Sequence, residues 1–292
     1  MANDAQLSSP PGPDAQPHQA LIAPRAPHDA LDFFQLSQRY NFRKTSDRRG
    51  VFVRLIRNEI ARCARPVRVL DIGCGTGIGD EVAPGALYLS AIQEACQELW
   101  GVEPDPGVEA EHGLFHQFQH ATLEAADLPE NYFDLAFSFF VMEHVDDPRR
   151  FMERVYRCLK PGGVYLFLTP NGRHYFTRIA SALHALRLDE WVLRKTVGEY
   201  VDHYHYPVRY RFNFESQVRR ISQAAGFSDP HFAYLEADGP RPYFRGPTIA
   251  LFHLLCLKRQ LIRSRRSLLE MVGRIEKPPA KAANRDAGPS FK

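Results

Sequence analysis

Residues 69–79 read Val-Leu-Asp-Ile-Gly-Cys-Gly-Thr-Gly-Ile-Gly: an apolar run ends in an acid, Asp71, and glycines follow at alternate positions, Gly73, Gly75, Gly77 and Gly79. Glycine has no Cβ, so a turn built from it can bend sharply and let a ligand come against the backbone. Asp71 at the tip of the run can receive a cationic or hydrogen-donating part of that ligand. The spacing does not fit the dinucleotide fingerprint G-x-G-x-x-G. Counted from Gly73, the third glycine falls on Ile78; counted from Gly75, it falls on Asp80. A second acid closes the next apolar run, Leu99-Trp100-Gly101-Val102-Glu103, where a carboxylate can accept the hydroxyls of a ribose. Glu103 follows Asp71 by 32 residues (103 − 71), against about 20 in a simple strand–helix–strand unit. The surplus falls in residues 80–90, around Pro84 and Gly85, and lengthens the loop beside the ligand.

Histidine exchanges its proton near neutral pH. His144 stands just beyond the apolar run Phe133–Phe139, at the ligand-facing end, as a general base or as a residue that orders the loop. His174, Tyr204 and His205 belong to residues 172–213, a segment dense in rings (Tyr175, Phe176, Tyr200, His203, Tyr206, Tyr210 and Phe212 besides) that reads as a lid over the pocket. Asp202-His203-Tyr204-His205 offers metal-ligand types, but at that spacing it needs help from elsewhere, and no metal is assigned. Arg173, Arg178, Arg209 and Arg211 can grip an acidic or phosphorylated acceptor as planar charged forks, or form a solvated basic face.

These residues need a scaffold of alternating strands and helices. Strands are expected at Val67–Asp71, Leu99–Glu103, a weaker one ending near Thr122, Phe133–Phe139, Val164–Thr169 and Phe227–Glu236. Helices are expected within 28–62, after the glycine loop, at Pro148–Leu159 with Pro148 in the first turn, and at Glu215–Ala225. Lys160-Pro161-Gly162-Gly163 reads as a turn, and Thr248–Leu257 as either a further strand arm or the start of a helix. The alternation implies an α/β fold. Residues 1–27 and 277–292, rich in Pro and Ala, lack the apolar content to fold and read as disordered tails. Between them lie a main domain, 28–257, and a basic C-terminal helix, 258–276. Lys258, Arg259, Arg263, Arg265 and Arg266 in that helix are either a solvated basic side, the favoured reading, or a contact with an anionic membrane.

The chain has 292 residues, 44% hydrophobic and 24% charged, with a formal net charge of +3. No global field marks a nucleic-acid binder. Five scattered cysteines form no C-x-x-C pair, which fits a reducing cytoplasm. Neither a signal peptide nor an apolar run of the roughly 18 residues a membrane span needs is visible.

The pattern D-x-G-x-G-x-G resembles motif I of the class I S-adenosylmethionine-dependent methyltransferases. Four further stretches resemble the type 11 and type 23 members in order: Ala121–Asp134 with its Leu-Pro pair, Phe137–Val145 ending in Glu143-His144, Leu159–Gly163, and Thr169-Pro170-Asn171. The resemblance covers roughly Val67–Asn171. It implies a Rossmann-like, mostly parallel seven-stranded sheet with helices on both faces and a hairpin at its edge. It implies S-adenosyl-L-methionine as cofactor, with Asp71, Gly73, Cys74, Gly75 and Gly77 around the methionine and ribose end and Glu103 on the ribose. Thr122, Leu123 and Glu124 would flank the adenine, and Phe139 and Phe140 would lie near the sulfonium. Some ubiquinone-pathway members bind a divalent cation through two acids and the histidine equivalent to His144; the first acid falls on Phe140 here, leaving Glu143 and His144. The expected reaction is O-methylation of a small-molecule or carbohydrate-linked acceptor. The alternatives are nucleic-acid methylation, disfavoured because Phe139-Phe140-Val141-Met142 replaces the Asx/Ser-Pro-Pro-aromatic motif, and a cofactor-binding regulator without turnover.

Overall fold

The computed structural model describes residues 32–39, 48–75, 85–108, 113–175, 177–179, 182, 208–236, 248–262, 264 and 268–280. Its scaffold among these residues is a set of seven strands, of which the central ones, 68–72, 133–139 and 164–169, are buried on both faces, as a strand covered on both sides requires. The strands are β1 (Arg68–Ile72), β2 (Glu98–Val102), β3 (Gln117–Gln119), β4 (Phe133–Phe139), β5 (Leu159–Pro170), β6 (His231–Leu235) and β7 (Glu270–Glu276). They form one sheet in the order β3-β2-β1-β4-β5-β7-β6. β1 through β5 are mutually parallel, and β7 runs antiparallel between β5 and β6.

Side chains one residue apart point to opposite faces, so each central strand feeds two separate cores. Val69, Leu135, Phe137, Leu166 and Leu168 face one layer, built from α1 (Phe33–Arg39), α2 (Arg48–Arg62) and α3 (Gly85–Gln93). Leu70, Ile72, Phe133, Ala136, Tyr165 and Phe167 face the other, built from α4 (Pro148–Cys158) and α5 (Glu215–Ala224). The α4 start is fixed locally. Asp147 caps it by accepting from the N–H groups of Arg149 (3.1 Å) and Arg150 (3.2 Å), and Pro148 takes the first turn, where no donor is missed.

Several expectations from sequence are corrected. The Lys160–Gly163 turn is a bulged continuation of β5: Leu159 already pairs with Phe133, the register shifts before Leu135, and Gly162 holds φ +82 while donating to the Lys277 carbonyl. Of the two readings left open at Thr248–Leu257, the structure has the helix, α6 (Thr248–Ile262). The basic helix expected at 258–276 is helical among the described residues only to Ile262. Glu270–Glu276 is the second arm of the edge hairpin, so the sheet extends past the expected domain limit at 257. Lys277, expected to open a tail, is buried; its ammonium donates to Asn131 Oδ1 and to the carbonyls of Tyr156 and Leu159 at 2.8–2.9 Å. The surplus before Glu103 is partly helical, since α3 begins at Gly85. Residues 1–27, 281–292, Gly77, Tyr204 and His205 lie outside the described residues.

Candidate functional site

The chain leaves β1 outward toward β2 and β3, then returns to β4 on the other side. This reversal places a crevice at the carboxyl ends of β1 and β4, where open α/β sheets bind ligands. Asp71 and Gly73 stand there. The loop is held from below by its own backbone: the N–H groups of Gly73 (2.8 Å) and Cys74 (3.2 Å) both donate to the Val102 carbonyl. Gly73 has φ +65, and a Cβ on it would lie 2.5 Å from Cγ2 of Val141. Val141, beyond β4, therefore packs against the loop where only glycine fits; its type gave no hint of this. Gly75, at φ +51, has open space where a Cβ would stand.

Glu103 joins the loop to the tip of β2. Its Oε2 accepts from the Gly75 N–H at 2.8 Å and its Oε1 from the Asp105 N–H at 3.0 Å. A carboxylate at this strand tip is an acceptor suited to a ligand hydroxyl. Asp71 is buried beside it, and its Oδ2 has no partner among the described residues. Burial, and then the neighbouring Glu103 charge, push the Asp71 carboxyl well above the usual range. A buried acceptor left unpaired is costly, and a cationic or hydrogen-donating ligand group would relieve that cost. The orphaned oxygen, the open space over Gly75 and the carboxylate on β2 fit the methionine and ribose parts of S-adenosylmethionine.

The other residues expected at the cofactor are placed less uniformly. Cys74 is buried; burial, followed by the charges of Asp71 and Glu103, pushes its thiol upward, so it packs beneath the loop as a neutral thiol. Thr122 and Glu124 are exposed just past β3, whereas Leu123 sits in the core. Phe139 and Phe140 are half-buried and meet edge to face at 4.8 Å. A cation already lies over each ring: Arg48 is 4.7 Å from the Phe140 centroid, and Arg49 is 6.0 Å from that of Phe139. Phe140 itself adopts φ +57, with its N–H on the Leu168 carbonyl.

Beyond β4 the short 3₁₀ turn Met142–His144 carries Glu143 inward and leaves His144 half-buried. A buried relay surrounds Glu143. Asn213 Nδ2 donates to Thr169 Oγ1 at 2.7 Å, and Thr169 Oγ1 donates to Glu143 Oε2 at 3.0 Å. The Glu143 carbonyl accepts from the N–H groups of Arg209 and Tyr210. Burial raises the Glu143 carboxyl to about 7, with Thr169 and Arg48 opposing and Glu270 adding to the rise. Glu270 is itself buried, and its Oε1 accepts from Arg48 at 2.6 Å. Asn213, Glu270 and Arg48 were not singled out from sequence, because single polar residues carry no spacing signal, and Thr169 entered only as part of the Thr169-Pro170-Asn171 stretch.

The lid expected at 172–213 is tied at both ends: the Gly172 N–H donates to the Asn213 carbonyl at 2.8 Å. His174 is buried, with its ring 4.3 Å from Tyr175. Arg209 pairs with Asp146 at 3.0 Å, and Arg211 donates to the Asp146 carbonyl at 2.9 Å, so both serve the loop after β4. Arg173 lines a shallow groove of about 390 Å³ with Arg219 and Arg220, which shares no residue with the cradle around Asp71. Among the described residues no group of three His, Cys, Asp or Glu side chains could hold a metal.

Comparison with known proteins gives the family of the chain. A family model described as "Methyltransferase domain" matches residues 44–229. A ubiquinone biosynthesis O-methyltransferase of Parvibaculum lavamentivorans is 34% identical over 114 residues, 38% of this chain and 44% of that protein. A probable S-adenosylmethionine-dependent methyltransferase of Mycolicibacterium smegmatis is 30% identical over 106 residues, 35% of this chain and 38% of that protein. The chain thus spans less than half the length of these two relatives. A crystal structure from Thermotoga maritima, titled a SAM-dependent methyltransferase and possible histamine N-methyltransferase, is similar with a TM-score of 0.46 and 16% identity, covering 84% of this chain and 92% of that one.

Proposed function

The chain belongs to the methyltransferase-domain family, as a class I S-adenosylmethionine-dependent methyltransferase, and on that premise we propose that it methylates an oxygen of a small-molecule or carbohydrate-linked acceptor. The observation that carries the donor assignment is the unpaired, buried Asp71 Oδ2 beside the glycine loop. The name of the Parvibaculum relative supports oxygen as the receiving atom.

Bound S-adenosylmethionine supplies a sulfonium methyl, with a neutral thioether as the leaving group. The protein's work is then alignment and exclusion of water. Asp71 receives the ammonium end, the Gly73–Gly75 backbone takes close contact, and Glu103 accepts from the ribose. Thr122 and Glu124 border the adenine. An acceptor hydroxyl gains from a base at its proton. His144, half-buried beyond β4, is the side chain we assign to it, ahead of the buried His174; Tyr204 and His205 are the lid's own candidates.

The test is calorimetry with S-adenosylmethionine, then incubation with a metabolite extract read by mass spectrometry for methylated products. Asp71→Ala and Gly75→Val should abolish binding while the melting transition persists; unchanged affinity in either removes the site assignment. His144→Ala should slow single-turnover methyl transfer by about a hundredfold with donor affinity unchanged. No S-adenosylhomocysteine from any acceptor would leave a binding protein in place of an enzyme.

A further inference from the structure

β6 and β7 are paired neighbours, Leu235 opposite Glu270, and a hairpin of this kind closes in a few residues. Here 34 residues intervene, 236–269 (269 − 236 + 1). β7 is antiparallel to both β5 and β6, so β6 runs with β5, and the excursion leaves and returns at the carboxyl end of the parallel strands. That is the end that holds Asp71 and Glu103. Its base is fastened there: Asn171 Nδ2 donates to the Leu268 carbonyl at 2.8 Å, and the Leu269 N–H donates to Glu236 Oε2 at 3.2 Å.

Two independent properties of this excursion point to one partner. The first is the face of α6. At about 100° per residue, Leu254, Leu257 and Leu261 fall on one narrow stripe, and they are 60%, 51% and 75% exposed. Phe252, on the opposite side, is buried and anchors the helix. The second is charge. Residues 239–269 contain seven Lys or Arg and no Asp or Glu, with five of the seven between Lys258 and Arg266. The whole chain carries only +3, so this span holds +7 against −4 for the remainder (3 − 7). An exposed leucine stripe in a span of sequence rich in cations and free of acids matches an interfacial helix on anionic lipid. At 15 residues α6 is about 22 Å long, short of the roughly 30 Å hydrocarbon core, so it lies in the plane of the surface.

We propose that α6 and the basic run around it dock this enzyme on an anionic bilayer, with Leu254, Leu257 and Leu261 entering the headgroup–acyl boundary and the cations meeting lipid phosphates. The docked protein turns the carboxyl end of its sheet toward the membrane.

The experiment is co-sedimentation of the full chain with phosphatidylcholine vesicles, with and without phosphatidylglycerol, alongside the variant Leu254→Gln/Leu257→Gln/Leu261→Gln. The protein should partition onto the anionic vesicles at least about tenfold better than onto the zwitterionic ones, and lose most of that preference when salt rises to about 0.5 M. The variant should bind at least about tenfold more weakly, with melting temperature and S-adenosylmethionine affinity unchanged, since these leucines are exposed and belong to neither core cluster of the described residues. Absence of vesicle binding, or equal binding by the variant, overturns the proposal. So does concentration-dependent self-association that the leucine substitutions abolish in the absence of vesicle binding, which would make a second copy the partner.

Discussion

At the scale of single residues, the site sets two kinds of buried acid against each other. Asp71 and Glu103 line the cradle proposed for the donor, whereas Glu143 belongs to the relay from Asn213 through Thr169. The relay supplies donors to Glu143, but burial dominates and lifts the carboxyl from its ordinary 4.5 to about 7. A folded-state pKa above the unfolded one means the native state binds the extra proton. The resulting stability is fully present below about pH 4.5 and is lost as pH rises through about 7. The loss approaches roughly 3 kcal/mol at its plateau. Glu143→Gln keeps an acceptor for Thr169 and removes the titration. Urea unfolding from about pH 5 to about pH 8 should therefore show the wild type losing stability relative to the variant as pH rises. The raised carboxyls of Asp71 and Glu270 are present in both proteins and largely cancel in the difference. Parallel pH curves would remove Glu143 as a titrating group in this range.

At the scale of elements, the sheet depends on a glycine away from the ligand. Gly273 in β7 stands opposite Phe167 on one side and Phe232 on the other. A Cβ there would lie 2.0 Å from Cζ of Phe167, a ring with no exposed surface and no room to swing. Gly273→Ala should cost about 2 kcal/mol or more. Adding Phe167→Ala should make the glycine substitution nearly neutral in that background, a coupling that a double-mutant cycle in denaturant measures. Additive effects would show that β7 shifts to absorb the methyl. This strand also marks where sequence reading runs out. β1, β4 and α4 were legible because long apolar runs and Pro148 in a first helical turn state their type locally. Glu270-Met271-Val272-Gly273-Arg274-Ile275-Glu276 was not: four of its seven residues are glycine or charged, and it follows a basic stretch. What makes it a strand is nonlocal, the open edges of β5 and β6. The cradle was legible for the same reason as β1, since glycine spacing is a local signal. The Glu143 relay was not, because Thr169, Asn213 and Arg48 become neighbours only after the strands pair.

At the scale of the whole molecule, β7 and the residue after it fasten elements far apart in the chain. Arg274 forms a two-pronged pair with Glu59 of α2, through Nε and Nη2 at 3.2 Å each. Arg48, at the start of the same helix, donates to Glu270. Lys277 places its ammonium on Asn131 and on the carbonyls of Tyr156 and Leu159, at the opposite end of the sheet from the cradle. Because β7 lies inside the sheet order, removing it does more than trim an edge. It strips β6 of its partner, bares the β5 edge and takes Met271, Val272 and Ile275 out of the two cores. Those three side chains represent about 5 kcal/mol of burial, comparable to the whole margin of a typical domain, about 5–15 kcal/mol. The chain ended at Ile262 should therefore show no cooperative thermal transition and no S-adenosylmethionine binding, while the chain ended at Ala280 keeps both. Melting of the shorter chain within a few degrees of the longer one would show that β1 to β5 with their helices form a self-sufficient core. The edge hairpin would then serve the acceptor side alone.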